Sequence, residues 1–355
     1  MARTYGVGIL GLGHWYSAYG VARALPEYPK AKLRAVAWHD HQQLRTFAST
    51  FGIDAYEAYA PVLERPDIDI VQLAAPVSEM ADLAIRATRA GKHIVLGKPM
   101  AMSLAEADRI VDAVESTGVK CLPAQSNTRF RVADLKTRIE RGEIGEIAVL
   151  HQTCRWSIAE DWMNSGKPGW FADPKHVPGG AFIDEGIYWI DVFRWLTGSE
   201  IVQVEAKMAN LVHKDIGVED WGLATFTFEN GVVATLEASW TINSPKKTAP
   251  SPKQNSVIRL EIVGTRGEII DQWFRSPGRA VLAAGAPDWV FERQPDGFFT
   301  PGVPFPLTQL VDAIEANRQT SSTVRDARQS FIAAMAAYDS AREGRPVHLQ
   351  AASSR

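Results

Sequence analysis

Apolar residues in the first third of the chain fall in short, partly β-branched runs: "LRAVAW" at 33–38, "IDIVQLAA" at 68–75, "HIVLG" at 93–97 and "VKCLPA" at 119–124. Between them lie stretches whose apolar positions recur every three or four residues, "QLRTFASTFG", "SEMADLAIRATRAGK" and "LAEADRIVDAVESTG". Short runs bounded by turn residues predict buried strands, and the amphipathic stretches predict helices crossing over between them. That rhythm builds a parallel sheet. It changes near residue 124. Beyond it the pattern predicts helices over "DLKTRIERGE" and "DEGIYWIDVFRWLTG", then long runs such as "GLATFTFENGVVATLEASWTI", where Asn230-Gly231 reads as a tight hairpin turn. Antiparallel strands dominate this second part. The Pro-, Ser- and Lys-rich "SPKKTAPSPKQNS" at 244–256 reads as a solvated loop, and "DARQSFIAAMAAYDSAREG" as an amphipathic helix stopped by Gly344. The expected organisation is two domains, 1–124 and 125–355.

The first strand-to-helix junction carries candidate chemistry. "GVGILGLGHWYSAYG" at 6–20 fits the pattern G-x-G-x-x-G in two registers. Gly6, Gly8 and Gly11 complete it but have no strand ahead of them. Gly11 and Gly13 follow "TYGVGIL", a strand, and precede "SAYGVARALPEY", a helix halted by Pro26 and Pro29; Tyr16 stands where a third glycine is usual. In that register Gly11 makes the tight turn and Gly13 lets backbone amides approach a pyrophosphate. Taken alone, such a glycine-rich turn between strand and helix is either a pyrophosphate site or simply a turn.

Composition excludes several partners. A chain of 355 residues with 46% hydrophobic residues buries a sizeable core, and a net charge of -3 leaves no electrostatic footprint for nucleic acid or an anionic membrane. No apolar window is long enough to span a bilayer, and the N-terminus lacks the layout of a secretory signal, so a cytoplasmic location is expected. Cys121 and Cys154 read as small buried hydrophobes, and the scattered histidines lack metal-ligand spacing, so no metal is expected.

Beyond the fingerprint, the blocks "AGKHIVLGKPM", "PGGAFIDEGIYWIDVFRWLTG", "FENGVVATLEASW", "IVGTRGEI" and "YDSAREGRPVHL" follow one another along the chain. In these blocks the sequence resembles the glucose-fructose oxidoreductase, inositol dehydrogenase and rhizopine-catabolism (Gfo/Idh/MocA) superfamily, nearly end to end. The resemblance implies a Rossmann domain followed by an α/β domain carrying an open, mostly antiparallel sheet. It also implies a homo-dimer or homo-tetramer joined through that sheet's outer face, and NAD(P)-dependent oxidoreduction at a hydroxyl or carbonyl of a sugar, polyol or related compound.

The family's catalytic lysine lies in an E-K-P motif, matched here by Gly97, Lys98 and Pro99; the glutamate is replaced. Where the family commonly shows D-x-G-x-H, this chain has Asp184-Glu185-Gly186-Ile187-Tyr188, so Tyr188 takes the histidine position. Spacings of four and three put Asp184, Tyr188 and Asp191 on one helix face. Oxidising an alcohol sends a hydride to nicotinamide and the hydroxyl proton to a base. The resemblance makes Lys98 and Tyr188 that relay, the ammonium stabilising the phenolate, with Asp184 orienting the substrate or the lysine. Asp184, soon after Gly179-Gly180, also suits a helix N-cap.

Candidate cofactor contacts are Gly11, Gly13, His14, Trp15, Trp38, Asp40, Ala75, Pro76, Lys98 and Asn127. The acid that usually ends the second strand and binds the adenosine ribose falls on Trp38, with Asp40 two residues on, either at the ribose or capping the next helix. No arginine follows at once for a 2′-phosphate, which favours NAD over NADP. For substrate, Arg129, Trp156, Trp162 and Trp170 join Asp184 and Tyr188, since indole faces and polar edges suit a sugar ring. Two further readings stand beside the dehydrogenase. One is a redox-neutral glycosidase-type enzyme that oxidises, eliminates and reduces on bound NAD. The other is a non-catalytic homologue with weakened cofactor binding, through the changes at Tyr16, Trp38 and Gly97.

Overall fold

The computed structural model describes residues 3–158, 169–242, 256–273, 278–292 and 307–350. Trp162 and the 244–256 loop, apart from Ser256, lie outside them. The chain divides into two compact units, Met1–Asn127 with Phe299–Gln329, and Thr128–Phe298 with Ser330–Arg355.

In the first unit, β1 (Tyr5–Leu10), β2 (Ala31–Ala37), β3 (Asp54–Tyr56), β4 (Ile70–Leu73), β5 (His93–Leu96) and β6 (Cys121–Pro123) form one sheet in the order β3-β2-β1-β4-β5-β6. Every pairing is parallel. This is the doubly wound order of dinucleotide-binding folds, and the strand order reverses between β1 and β4. All residues of β1 and β4 are buried, as a sheet covered on both faces requires. Helices α1 (Trp15–Ala24), α2 (His41–Phe51), α3 (Ala60–Leu63), α4 (Val77–Arg89) and α5 (Leu104–Thr117) connect the strands. Their ends follow local rules. Ser103 caps α5 by accepting the Glu106 N–H at 3.3 Å, and Gly118, at φ +71°, ends it in the left-handed conformation.

The second unit holds α7 (Ala133–Glu140), most of α6 (Asn127–Arg131), β7 (Ile147–Arg155), α8 (Ala181–Thr197) and β8 (Ile201–Ala209). The strands β9 (Trp221–Phe228), β10 (Val233–Ser239), β11 (Val257–Gly264), β12 (Glu268–Trp273), β13 (Gly278–Leu282) and β14 (Val290–Glu292) follow. The chain ends in α9 (Leu307–Glu315), α10 (Val324–Glu343) and β15 (Val347–His348). Nine strands form a sheet ordered β14-β13-β12-β11-β7-β10-β9-β8-β15, in which only β7 and β10 run parallel. Burial alternates along β9, β11 and β12, so one face is packed and the other open. The packed face lies under α8, which is buried on nearly every side. Gly186 permits close approach there: a Cβ would sit 3.1 Å from Leu236 Cδ2 on β10. The hairpin falls at Asn230-Gly231 as the pattern predicts, with Gly231 at φ +87°. Gly344, at φ +67°, ends α10. The architecture is a Rossmann-type unit and an α/β unit with an open, mostly antiparallel sheet.

Candidate active site

The glycine registers separate cleanly. Gly6 and Gly8 lie inside β1, where a Cβ would meet the Asp67 carbonyl oxygen at 1.7 Å and Val62 Cγ1 at 2.8 Å; their role is packing. Gly11 makes the turn between β1 and α1. Its φ is +94° and a Cβ would lie 2.5 Å from the Ala75 nitrogen, so the turn closes against the segment after β4. His14 fastens the same contact, its N–H to the Ala74 carbonyl at 2.8 Å and its Nδ1 to the Ala75 carbonyl at 3.0 Å. Tyr16 does not enter the helix–sheet seam in place of the missing third glycine. It is half-buried and meets the rings of His14 and Trp15 edge-on, at 5.7 and 6.1 Å between centroids. Ala18, fully buried, fills the seam, and the Ser17 hydroxyl accepts from Gln72 Nε2 at 2.9 Å.

A pyrophosphate fits this turn. No side chain caps α1 and its first turn holds no acidic residue, so the helix N-terminus can serve an anion. Ala75 and Pro76 are buried at the point where strand order reverses, the former against Gly11. At the adenosine end the structure divides the expected residues. Trp38 is 5% exposed, donates its indole N–H to Gln43 Oε1 at 3.0 Å and packs on His39, with ring centroids 3.9 Å apart. Asp40 is the N-cap of α2, its Oδ1 accepting from the Gln42 and Gln43 amides at 2.9 Å each. Oδ2 takes no part in that cap. Asn127, half-buried, opens α6.

Lys98 follows β5 and is only 4% exposed. Burial and then the neighbouring Lys98 push the His14 imidazole down to about 3, against backbone bonds to Ala75 and Lys98, so His14 is neutral at physiological pH. Gly97, where the family has glutamate, has its own reason. A Cβ there would lie 2.3 Å from Met80 Cε and 3.0 Å from the Leu73 carbonyl oxygen, so the Met80 side chain occupies that space.

In the second unit Asp184 is 6% exposed, Tyr188 half-buried and Asp191 fully buried along α8. Gly180, not Asp184, is the N-cap. Asp191 accepts from Arg129 Nε at 2.5 Å and Nη2 at 2.6 Å, and from the Ser330 hydroxyl at 3.3 Å. Arg129 thus makes a bidentate ion pair that ties α6 to α8. The arginine that faces Tyr188 electrostatically is Arg131, two residues on, which pattern reading passed over. Burial lowers its guanidinium to about 10 and Tyr188 pulls it back up, so it stays protonated. Trp156 is 9% exposed, two residues from the buried Cys154, whose thiol burial pushes far up. Trp170 stacks on Phe171 at 3.9 Å. Among the described residues no cluster of three potential metal ligands occurs, and no helix is long and apolar enough to cross a membrane.

Fold and turn together are those of a dinucleotide-binding protein. Residues 5–125 match the family described as "Oxidoreductase family, NAD-binding Rossmann fold", and residues 132–270 match "GFO/IDH/MocA C-terminal domain". The scyllo-inositol 2-dehydrogenase (NAD(+)) of Bacillus subtilis (strain 168) is 30% identical over 349 residues, 96% of this chain and 95% of that protein. The aldose-aldose oxidoreductase from Caulobacter crescentus, solved with glycerol, shares 25% identity and a TM-score of 0.82 over 98% of this chain and 100% of that one. Levoglucosan dehydrogenase, solved with NADH and L-sorbose, shares 25% identity and a TM-score of 0.83 over 99% and 100%. The chain belongs to the Gfo/Idh/MocA family and is an NAD(P)-dependent dehydrogenase.

Proposed function

We propose that the enzyme oxidises a hydroxyl of a sugar or polyol, or reduces the corresponding carbonyl, with Lys98 and Tyr188 passing the hydroxyl proton and Asp184 orienting the substrate. The observation that carries this reading is Lys98, a lysine only 4% exposed that follows β5 and neighbours His14 at the dinucleotide turn. NAD, which the Gly11 turn would hold, would supply the acceptor for the hydride leaving the carbinol carbon. Tyr188 takes the hydroxyl proton and Lys98 lowers the cost of the phenolate. Arg131 adds a second positive charge toward Tyr188. The relatives named for inositol, aldose and levoglucosan chemistry support the substrate class. NAD fits better than NADP, because Asp40 would repel a 2′-phosphate and His41 is paired with Glu57 at 2.8 Å.

The oligomer in this reading is a homo-dimer or homo-tetramer through the open sheet face. Leu223 and Phe291, 39 and 80% exposed, lie on the open face of that sheet, and α8 covers only the other face. Light scattering should give a mass at least twice that of one chain at micromolar concentration. For the reaction, monosaccharides, polyols and glycosides are screened with NAD for NADH formation, and separately for bond cleavage without net NADH. NADH formation supports the dehydrogenase; cleavage alone replaces it with the redox-neutral reading; no dinucleotide affinity at millimolar NAD or NADP replaces it with the non-catalytic one.

A further inference from the structure

The helix that carries Asp184 and Tyr188 begins without a capping side chain of its own: its N-cap is Gly180. The first amides of a helix lack intrahelical acceptors and are costly to bury unpaired. Two residues distant in sequence supply every acceptor. Glu219 Oε2 accepts the Gly180 N–H at 2.8 Å, its main-chain carbonyl accepts the Ala181 N–H at 3.0 Å, and its Oε1 accepts the Phe182 N–H at 2.9 Å. The Tyr338 hydroxyl accepts the Ile183 N–H at 3.1 Å and donates to Glu219 Oε1 at 2.7 Å. The Asp184 amide then opens the regular ladder to the Gly180 carbonyl at 3.0 Å. Gly179 and Gly180 make room for this clamp: a Cβ would lie 2.2 Å from the Tyr338 hydroxyl at the first and 2.0 Å from the Glu219 carbonyl oxygen at the second. Burial raises the Glu219 carboxyl, and the bonds from Tyr338, Gly180 and Phe182 draw it back.

A helix N-terminus attracts carboxylates, and Asp184 is the one acid in this helix's first turn. We infer that Glu219 and Tyr338 are positioning residues for the reaction: they take over the cap of α8 and so fix the first turn, which carries Asp184, with Tyr188 held one turn further on. The inference rests on the catalytic reading of Asp184 and Tyr188 given above.

The test uses the full chain with Glu219→Gln, Tyr338→Phe and Asp184→Asn, followed by hydrogen exchange of the 180–183 amides, NADH affinity, kcat and KM. Glu219→Gln should speed exchange at these amides and lower kcat by about tenfold or more, with NADH affinity and KM little changed, as expected when a reacting group is misplaced. Tyr338→Phe, which removes a single oxygen, should act in the same direction more weakly, and it carries the test if Glu219→Gln does not fold. Faster exchange with wild-type kcat in both variants would reduce the clamp to a structural cap and overturn the inference, while an inactive Asp184→Asn in the same assay would leave the catalytic reading standing. Wild-type kcat in Asp184→Asn would overturn that reading and this inference with it.

Discussion

In the first unit the proposed site residues stand where strands end: Gly11 after β1, Ala75 and Pro76 after β4, Lys98 after β5. In the second they lie on one face of a buried helix, where Asp191 is bonded to Arg129 and Ser330 and the first amides of the helix to Glu219 and Tyr338. The strand-end site is built from backbone that a parallel sheet positions by itself, so glycine and small residues suffice. The helix-face site buries charge, and buried charge needs partners. One unit therefore tolerates odd residues at its motif, such as Tyr16, whereas the other requires a specific set of side chains.

The largest test of that contrast is Lys98→Met. A general acid–base group contributes about 10² to 10⁴ in rate, so kcat should fall by that order while NADH affinity, set by the Gly11 turn, stays within a few-fold. Calorimetric NADH titration beside steady-state rates separates the two; a parallel loss of affinity would mean that Lys98 belongs to the turn and not to the reacting centre. On the helix side, Arg129→Leu should destabilise the second unit by about 3–5 kcal/mol, because the buried Asp191 charge loses its partner. Denaturant unfolding reads this, and an Arg129→Leu with Asp191→Leu double variant should recover much of the loss.

Tyr188→Phe should lower kcat in parallel with Lys98→Met but by less, about tenfold to a hundredfold, since the lysine remains. Its acid–base role predicts a changed pH–rate profile, whereas a purely packing role would leave the profile in place. A pH effect on stability belongs to the strand-end site. His14 takes its proton near 6.5 when unfolded and only near 3 when folded, so between these values the unfolded chain holds more protons and stability falls as pH falls. At pH 5 the loss is about 2 kcal/mol. Urea midpoints from pH 7 to 4.5 should show this slope, and His14→Gln should flatten it. The smallest effect is expected at Gly97→Ala, about 1 kcal/mol of overpacking against Met80, which should shrink in a Met80→Ala background.

Much of the first unit was legible along the chain because its determinants are local. Strand, glycine turn and helix are consecutive, and Asp40 with Gln42 and Gln43 makes a cap within four residues. Even there, the space beside Gly97 is taken by Met80 of α4, a contact that spacing does not reveal. On the second unit, helical spacing placed Asp184, Tyr188 and Asp191 on one face correctly. It did not distinguish Arg129, bound to Asp191, from Arg131, coupled to Tyr188, because both lie in one short helix and only packing against α8 assigns them.

The cap of α8 marks the boundary most sharply. Two glycines followed by an aspartate satisfy the local rule for a capping acid, and by that rule Asp184 is the obvious choice. Glu219 fills the place instead, 39 positions from Gly180 in sequence, together with Tyr338, 119 positions from Glu219. By itself the sequence determined the periods of strand and helix, the glycine turn and the helix face of the acidic pair, since each depends on covalent geometry and neighbours within a few residues. The tertiary structure alone decided which buried charge meets which partner, because that choice is made by desolvation and hydrogen-bond satisfaction among groups that only folding brings together.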